Sequence, residues 1–352
     1  MQKINTLNYP IFTGDQSLNQ LDDWLQMHAL EAKKILLVDS NTLKHCVPEL
    51  LTAVPSLDGA EFLEVDPGEH QKNIEVATQL WLSLSELNLD RSAVLINVGG
   101  GVVGDLGGFV AASYQRGIRF VQIPTSLLAM VDASVGGKVG IDLRELKNQV
   151  GFFAEPAAVV VYPDFLSTLP DSQIKSGYAE MLKHGFIADQ NYLLKLLNFK
   201  GALAIDDINY SIAIKAGIVS EDFKEASKRK WLNFGHTFGH AIESYFLHAS
   251  QPVLHGIAIV AGMICELMMS VEKLGFPEQE MHNYVQQLLR HYPKLPLKDM
   301  DIPDLINLMK HDKKNVNGEI RCVGLKEVGN PVHDVPLSFD EAGSLFKKYM
   351  DY

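Results

Sequence analysis

Three histidines and one glutamate carry the first chemical signal in this sequence. His236 and His240 stand four residues apart in FGHTFGH, and His255 opens an apolar run after a loop. In YAEMLKH, Glu180, Lys183 and His184 fall at i, i+3 and i+4, along one side of a helix. Neutral imidazole and carboxylate suit zinc, and a catalytic zinc takes three protein ligands while keeping one position open. Glu180 with two of the three histidines makes such a set, and the spacing alone does not say which two. HxxxH on a helix has little specificity, and Glu180–Lys183 also reads as an intrahelical ion pair. What raises the metal reading is company, since glycine-flanked histidines lie in two apolar helices beside a third helix with an acid.

The second signal is a pair of glycine turns in residues 94–142. An apolar run stops at Gly99-Gly100-Gly101, and a helical pattern resumes near Asp105. Strand, glycine turn and helix together present backbone N–H groups and a helix N-terminus to a phosphate. A second apolar run, 120–124, follows, and Gly136-Gly137 then delivers Lys138. GxGxxG at Gly99, Gly101 and Gly104 is weak by itself and fits a structural turn equally well. The acid expected ~20 residues downstream of a dinucleotide fingerprint is missing, so the upstream Asp39 is the better partner for ribose hydroxyls.

These residues need elements to hold them. Runs at 34–39, 61–65, 93–98, 120–124 and 159–162 read as strands, alternating with helical patterns at 41–51 and 73–87. Such alternation predicts an α/β N-terminal domain with a Rossmann-like, mostly parallel sheet. Ligands of such sheets sit beyond the carboxyl ends of the strands, where Asp39, Glu69, Lys72 and the glycine loop fall. From residue 167 onward the pattern is mostly helical, which predicts an all-α C-terminal domain. The expected division is 1–165 for nucleotide binding and 166–352 for metal and substrate.

With 352 residues, the chain can build two cores. A net charge of -12 argues against nucleic acid or an anionic membrane as a generic partner. Lysines and arginines gathered near glycine turns therefore oppose the global charge and mark a pocket. The three cysteines form no CxxC pair, which points to a reducing compartment and no thiolate metal site. No apolar run approaches the ~20 residues that span a bilayer, and the first residues show no secretory pattern, so a cytoplasmic protein is expected.

The motifs GGGVVGDLGGF, RGIRFVQIPTSLLAMVDASVGGKVGID, KNQVGFF, SGYAEMLKHG, KRKWLNFGHTFGHAIE, LHGIA and DKKN together resemble the 3-dehydroquinate synthases of the sugar phosphate cyclase family. The resemblance covers roughly residues 35–325. It implies zinc, or cobalt, held by Glu180, His236 and His255. It implies NAD contacts from Asp39, Asn41, Glu69, Lys72, Gly100, Gly101, Asp105, Thr125, Ser126, Lys138 and Lys147. It implies a catalytic pocket of Asp132, Lys138, Asn148, Lys183, Lys215, Arg229, Asn233 and His240 with the Lys313-Lys314 pair. Arg116 matches an arginine that family members place in the neighbouring subunit's site, which implies a homodimer. Four positions depart from the family pattern: Ser126 for Thr, Met130 for Gln, Glu155 for Gln and Ile257 for Glu. The last removes a carboxylate two residues after a zinc histidine.

The implied reaction converts 3-deoxy-D-arabino-heptulosonate 7-phosphate to 3-dehydroquinate and phosphate, in the shikimate route to aromatic amino acids. It runs by transient NAD oxidation, phosphate β-elimination, re-reduction and intramolecular aldol closure. The implied roles give Lys138, Asn148 and Arg229 the anionic ends, and Asn233, His240 and the lysine pair the phosphate. Two other readings share the motifs: a paralogous cyclase acting on sedoheptulose 7-phosphate, and a glycerol-type NAD dehydrogenase with net NADH production.

Overall fold

The strand order of the main sheet reverses between a fully buried strand and one buried along all but its two end residues. The structure is a computed structural model, and it describes residues 2–4, 7–143, 146–199, 203–310 and 319–352. The chain divides into two compact units, one of Met1–Ile174 with Leu203–Ser220, the other of Lys175–Ala202 with Glu221–Tyr352.

The first unit begins with β1 (Gln2–Ile4), β2 (Ile11–Thr13), α1 (Ser17–His28), β3 (Lys34–Asp39), α2 (Ser40–His45) and α3 (Val47–Ala53). It continues through β4 (Glu61–Val65), α4 (Ile74–Glu86), β5 (Val94–Gly99), α5 (Gly101–Ser113) and β6 (Arg119–Pro124). After β6 come β7 (Lys138–Leu143), β8 (Leu146–Phe153) and β9 (Ala158–Val161). The main sheet has the order β1-β2-β9-β6-β5-β3-β4. Six of its strands run parallel, and β1 joins β2 antiparallel at the edge. From β3 the chain passes outward to β4 and then returns to β5 on the other side. The carboxyl ends of β3 and β5 are thus neighbours at the switch point where such sheets take ligands. Every residue of β5 is buried, as expected of a parallel strand covered on both faces. Ile35, Leu37, Leu95, Leu106 and Phe109 share one core cluster, each worth ~1.5–3 kcal/mol relative to exposure.

Two local departures have clear causes. The helical pattern at 41–51 is two helices, because Pro48 sits in the first turn of α3 and a proline there cannot continue the helix before it. α5 starts at Gly101, about one turn before the pattern resumes near Asp105. Its glycines lower helix propensity but are required by contact. A Cβ on Gly107 would lie 2.0 Å from Asn97 Oδ1, and one on Gly108 2.3 Å from Val139 Cγ1.

Next in chain order come α6 (Asp171–Ala188), α7 (Gln190–Leu197), α8 (Ile205–Glu221), α9 (His236–His248), α10 (His255–Leu274), α11 (Glu278–His291) and α12 (Ile302–Lys310). All but α8 belong to the helical second unit, apart from the first residues of α6. The hairpin β10 (Ile320–Glu327) and β11 (Asn330–Leu337) and the final helix α13 (Phe339–Asp351) complete that unit. The hairpin is an addition to the helical pattern read from residue 167 onward. Its alternation is broken by register shifts between Cys322 and Gly324 and between Leu325 and Glu327, and two prolines in β11 mask its strand character.

Glycines also decide how the helices of this unit meet. A Cβ on Gly262 of α10 would lie 1.9 Å from the carbonyl oxygen of Gly235, just before α9. One on Gly239 would come within 3.1 Å of the Ala258 carbonyl, and one on Gly256 within 2.1 Å of the Ser176 carbonyl of α6. The three helices that carry Glu180, His236 and His255 therefore touch backbone to backbone. No described helix is long and apolar enough to cross a membrane.

Candidate functional site

In the first unit, Gly99 ends β5 and Gly100 caps α5 with no side-chain hydrogen bond to the helix N-terminus. Gly99 and Gly104 are packing glycines, since their Cβ atoms would meet Val103 at 2.5 Å and Gln122 at 3.1 Å. Gly100 and Gly101 face more open space: their Cβ atoms would first meet Ser126 Oγ at 3.5 Å and Ala133 Cβ at 3.4 Å. A hollow lined by Gly99, Gly100, Gly101, Pro124, Ala133 and Ser134 lies against this helix start. Backbone without Cβ at an uncapped helix N-terminus fits a diphosphate. Thr125 is buried and donates its N–H to the Gly99 carbonyl at 3.0 Å, while Ser126 Oγ accepts from Ala129 N at 3.3 Å.

Beside this loop the structure gathers a charged cluster. Lys72 is 4% exposed, and its Nζ lies 2.6 Å from Asp105 Oδ2 and 4.0 Å from Glu69 Oε1. Burial works against its charge, but the Asp105 and Glu69 carboxylates outweigh burial and hold the ammonium above its ordinary pKa. Lys147 reaches the same Glu69 at 3.5 Å. Asp142, absent from the expected set, joins the cluster through its backbone N–H to the Lys72 carbonyl at 2.8 Å. Its carboxylate accepts the Asn148 N–H at 2.7 Å. Burial raises the Asp142 pKa more than that bond lowers it.

Asp39 caps α2, accepting the Thr42 N–H at 2.8 Å through Oδ1, with Asn41 exposed next to it. Asp132 lies in a single π-helical turn, Ala129–Ala133. Lys215 of α8 clamps it, with Nζ 2.8 Å from Oδ1 and 2.6 Å from its carbonyl. Lys138, Asn148 and Arg116 are exposed.

In the second unit, Glu180 of α6, His236 at the start of α9 and His255 at the start of α10 come together. One oxygen or nitrogen from each lies within 4.8 Å of the others. Glu180 is fully buried, with Oε1 3.7 Å from His236 Nε2 and 3.4 Å from His255 Nε2. The far nitrogen of each ring is also engaged. His236 Nδ1 faces the Phe234 carbonyl at 3.2 Å, and His255 Nδ1 faces Glu243 Oε2 at 3.2 Å. A carbonyl and a carboxylate only accept, so each ring donates from Nδ1, and loss of any proton from Nε2 would free that nitrogen's lone pair for an ion on the Glu180 side. Two nitrogens and a carboxylate oxygen so arranged fit zinc. Burial lowers the His255 pKa, but Glu243 and Glu180 on either side outweigh it and push it up to about 10. The site is thus a negative pocket that favours a cation.

Around this trio, Lys183 is 1% exposed and contacts Glu180 Oε2. The ring of His240 is centred 5.1 Å from that of His236 and 6.0 Å from that of His255. Arg229 is buried, with Nη1 donating to the Phe223 carbonyl at 2.5 Å, and Asn233 Nδ2 donates to Glu225 Oε1 at 2.9 Å. Lys313 and Lys314 lie outside the described residues.

Three acids missed in the sequence support this geometry. Glu243 holds His255. Glu266 of α10, fully buried, accepts the Gly235 N–H at 2.7 Å and the Thr237 N–H at 3.3 Å, fixing the turn that presents His236. Asp222 accepts the N–H groups of Ala226, Ser227 and Arg229, at 2.9, 2.7 and 3.0 Å, and so shapes the loop before Asn233. Only Glu243 carried a signal, three residues after His240 and seven after His236 on one helical face.

Comparison with known proteins agrees across the whole chain. A family model described as 3-dehydroquinate synthase N-terminal matches residues 62–176, and one described as 3-dehydroquinate synthase C-terminal matches 177–315. The 3-dehydroquinate synthase of Parabacteroides distasonis is 41% identical over 321 residues, 89% of each chain. The fold matches that of 2-deoxy-scyllo-inosose synthase complexed with carbaglucose-6-phosphate, NAD+ and Co2+, with a TM-score of 0.85, 24% identity and 99% of each chain covered. It also matches 2-epi-5-epi-valiolone synthase from Streptomyces hygroscopicus with NAD+ and Zn2+ bound, with a TM-score of 0.82, 21% identity, and 100% of this chain and 99% of that one covered. With both halves of the sequence matched by models of one family and a relative this similar along nearly its full length, the chain belongs to the 3-dehydroquinate synthase family of NAD- and metal-dependent cyclases.

Proposed function

We propose that the family's reaction, conversion of 3-deoxy-D-arabino-heptulosonate 7-phosphate to 3-dehydroquinate and phosphate, is carried out here by the residues described above. The observation that carries the proposal is the Glu180, His236 and His255 set, two proton-fixed imidazoles aimed at one buried carboxylate. Zinc is the ion that this donor set favours, and the 2-deoxy-scyllo-inosose and 2-epi-5-epi-valiolone synthases of similar fold hold cobalt and zinc, respectively. Gly100, Gly101 and the α5 N-terminus receive the NAD diphosphate, while Lys72, Asp105, Glu69 and Lys147 order the adjoining loop and Asp39 faces the ribose. Held by these residues, NAD would supply a reversible hydride acceptor, and a metal held by Glu180, His236 and His255 would supply a Lewis acid for a substrate hydroxyl.

The chain's own side chains bind and orient. Arg229, its guanidinium held by the Phe223 carbonyl, offers a planar fork suited to an anionic group, and it shares with Lys138 and Asn148 the task of binding the substrate's two anionic ends. Asn233, His240 and the Lys313-Lys314 pair take the phosphate. Lys183, paired with Glu180, and Lys215, paired with Asp132, orient substrate hydroxyls. His240 moves a proton near the leaving phosphate, since an imidazole's ordinary pKa of ~6.5 lies close to neutrality. The phosphate departs with its bonding electrons as a proton leaves the neighbouring carbon, so elimination needs no external oxidant.

The test is phosphate release from the heptulosonate phosphate in the presence of NAD and zinc, with and without a chelator. Release that stops on chelation and resumes with added zinc is expected. Chelator-insensitive release would remove the metal from the reaction, and net NADH accumulation would favour the dehydrogenase reading. The same proposal makes the protein a homodimer in which Arg116 serves the neighbouring site. It also makes the protein cytoplasmic, which the three buried cysteines without a disulfide support.

A further inference from the structure

Helix α9 presents His236, His240 and Glu243 along one stripe, at i, i+4 and i+7. The third of these has no part in the reaction as proposed, yet it is 8% exposed and points at a metal-site histidine. Its Oε2 stands 3.2 Å from His255 Nδ1, while His255 Nε2 stands 3.4 Å from Glu180 Oε1. We infer that Glu243 is the positioning residue for His255: it accepts the Nδ1 proton, fixes ring rotation and tautomer, and so aims Nε2 at the metal position. The inference rests on Glu180, His236 and His255 being the ligand set.

The need for such a residue follows from where His255 sits. It is the first residue of α10, after an N-cap, Leu254, that makes no side-chain hydrogen bond. The first turn of α10 has no acid, and position 257 is isoleucine. Nothing in the opening turn of its own helix supplies a carboxylate to orient the ring. His236 meets the same need with the Phe234 carbonyl, a backbone atom two residues away. His255 takes its acceptor from a neighbouring helix, and glycine contacts hold that helix at backbone distance. Gly262 lies against the Gly235 carbonyl and Gly239 against the Ala258 carbonyl. Glu243 therefore does not reach across a variable gap, because its helix is registered against α10. A carboxylate on the far nitrogen also increases the electron density that Nε2 can donate.

His240, Glu243 and His255 form a second group whose ligand atoms lie within 4.8 Å of one another. The alternative is thus that Glu243 ligates a second ion, and metal stoichiometry separates the two. The protein is stripped by a chelator, and zinc affinity and stoichiometry are measured by competition with a chromogenic chelator. Wild type, E243Q, E243A and H236A are compared, with the melting of each metal-free protein recorded. One zinc per chain is expected, bound roughly 10- to 100-fold more weakly in E243A. E243Q falls between, because its amide oxygen still accepts the Nδ1 proton, and H236A loses the most. Loss in E243A that E243Q recovers in part, at unchanged metal-free melting, marks positioning rather than general destabilisation. If E243A fails to fold, an intermediate affinity in E243Q carries the same conclusion. Affinity within twofold of wild type in folded E243A or, where that variant fails to fold, in E243Q, while H236A loses zinc, would overturn the inference alone. Two zincs per chain, one lost in E243A, would overturn it in favour of a ligand role. Equal affinity in H236A and wild type would overturn the metal-site reading and this inference with it.

Discussion

His240 is within one ring's breadth of both His236 and His255, yet it is not in the group that includes Glu180. On the proposed reading, binding the ion and serving the phosphate thus fall to different histidines. H240A should keep zinc affinity within about twofold and slow phosphate release by ~10²-fold, the usual contribution of a positioned acid or base. Zinc competition and a phosphate assay on one preparation check this, and full turnover would end the proposed role. Sequence spacing exposed a glutamate and three histidines but could not choose among them, since the HxxxH pair is as good a ligand pair on paper. What favours His236 and His255 is their distance to Glu180 once the chain has folded, and a ring's partner such as the Phe234 carbonyl has no letter in the sequence. Glu266 shows the same limit: one acid in an apolar helix reads as a misplaced charge until a neighbouring turn places two N–H groups on it. Asp39 has a double aspect, as a strand-end acid suited to ribose that also caps the following helix.

Histidine next to glycine is the recurring local pattern at 235–236, 239–240 and 255–256, and the helices explain it. Each glycine lets one helix rest on another's backbone, and the histidine beside it is carried to the shared face. G262A would put a Cβ 1.9 Å from the Gly235 carbonyl, a clash that backbone on both sides cannot relieve by changing rotamer. It should destabilise by ~3 kcal/mol and weaken zinc binding, both readable by melting and competition. G217A is the control, because a Cβ there meets nothing within 4 Å, and it should be neutral or slightly stabilising. Equal melting of the two variants would refute the packing argument. Strands β3, β5 and β6 were legible as short runs rich in Ile, Leu and Val, interrupted by Asn97 and Gln122, because burial on both faces suppresses polar alternation. The start of α5 was not, since Gly101 and Gly104 speak against helix locally, although Gly104 is required by its contact with Gln122. The β10–β11 hairpin was hidden by its prolines and register shifts.

For the assembled protein, the test residue is Arg116. Gln115, Arg116 and Gly117 have φ of 50°, 69° and 112°, three left-handed residues in succession. For the two that are not glycine, such backbone costs ~1–3 kcal/mol each unless surroundings enforce it. They do so here: Gln115 Nε2 donates to the Leu89 carbonyl at 2.7 Å, and Arg91 Nε donates to the Gln115 carbonyl at 3.1 Å. An exposed arginine is thus held out on a rigid turn, which suits the proposed service to a neighbouring subunit. R116A and H236A should each be inactive alone, while co-expression should restore about a quarter of wild-type turnover through mixed dimers with one intact site. No recovery in purified mixed dimers would place Arg116 in its own chain's site or outside catalysis. Connectivity adds a consequence for the birth of the protein. The first unit is made of two separate stretches, the second of which contains most of α8. The ribosome delivers Asp132 early and its clamp, Lys215, 83 residues later. At ~5–20 residues per second, a nascent chain spends roughly 4–17 s with that carboxylate waiting for its lysine, and a first unit cut short at Ile174 would wait indefinitely.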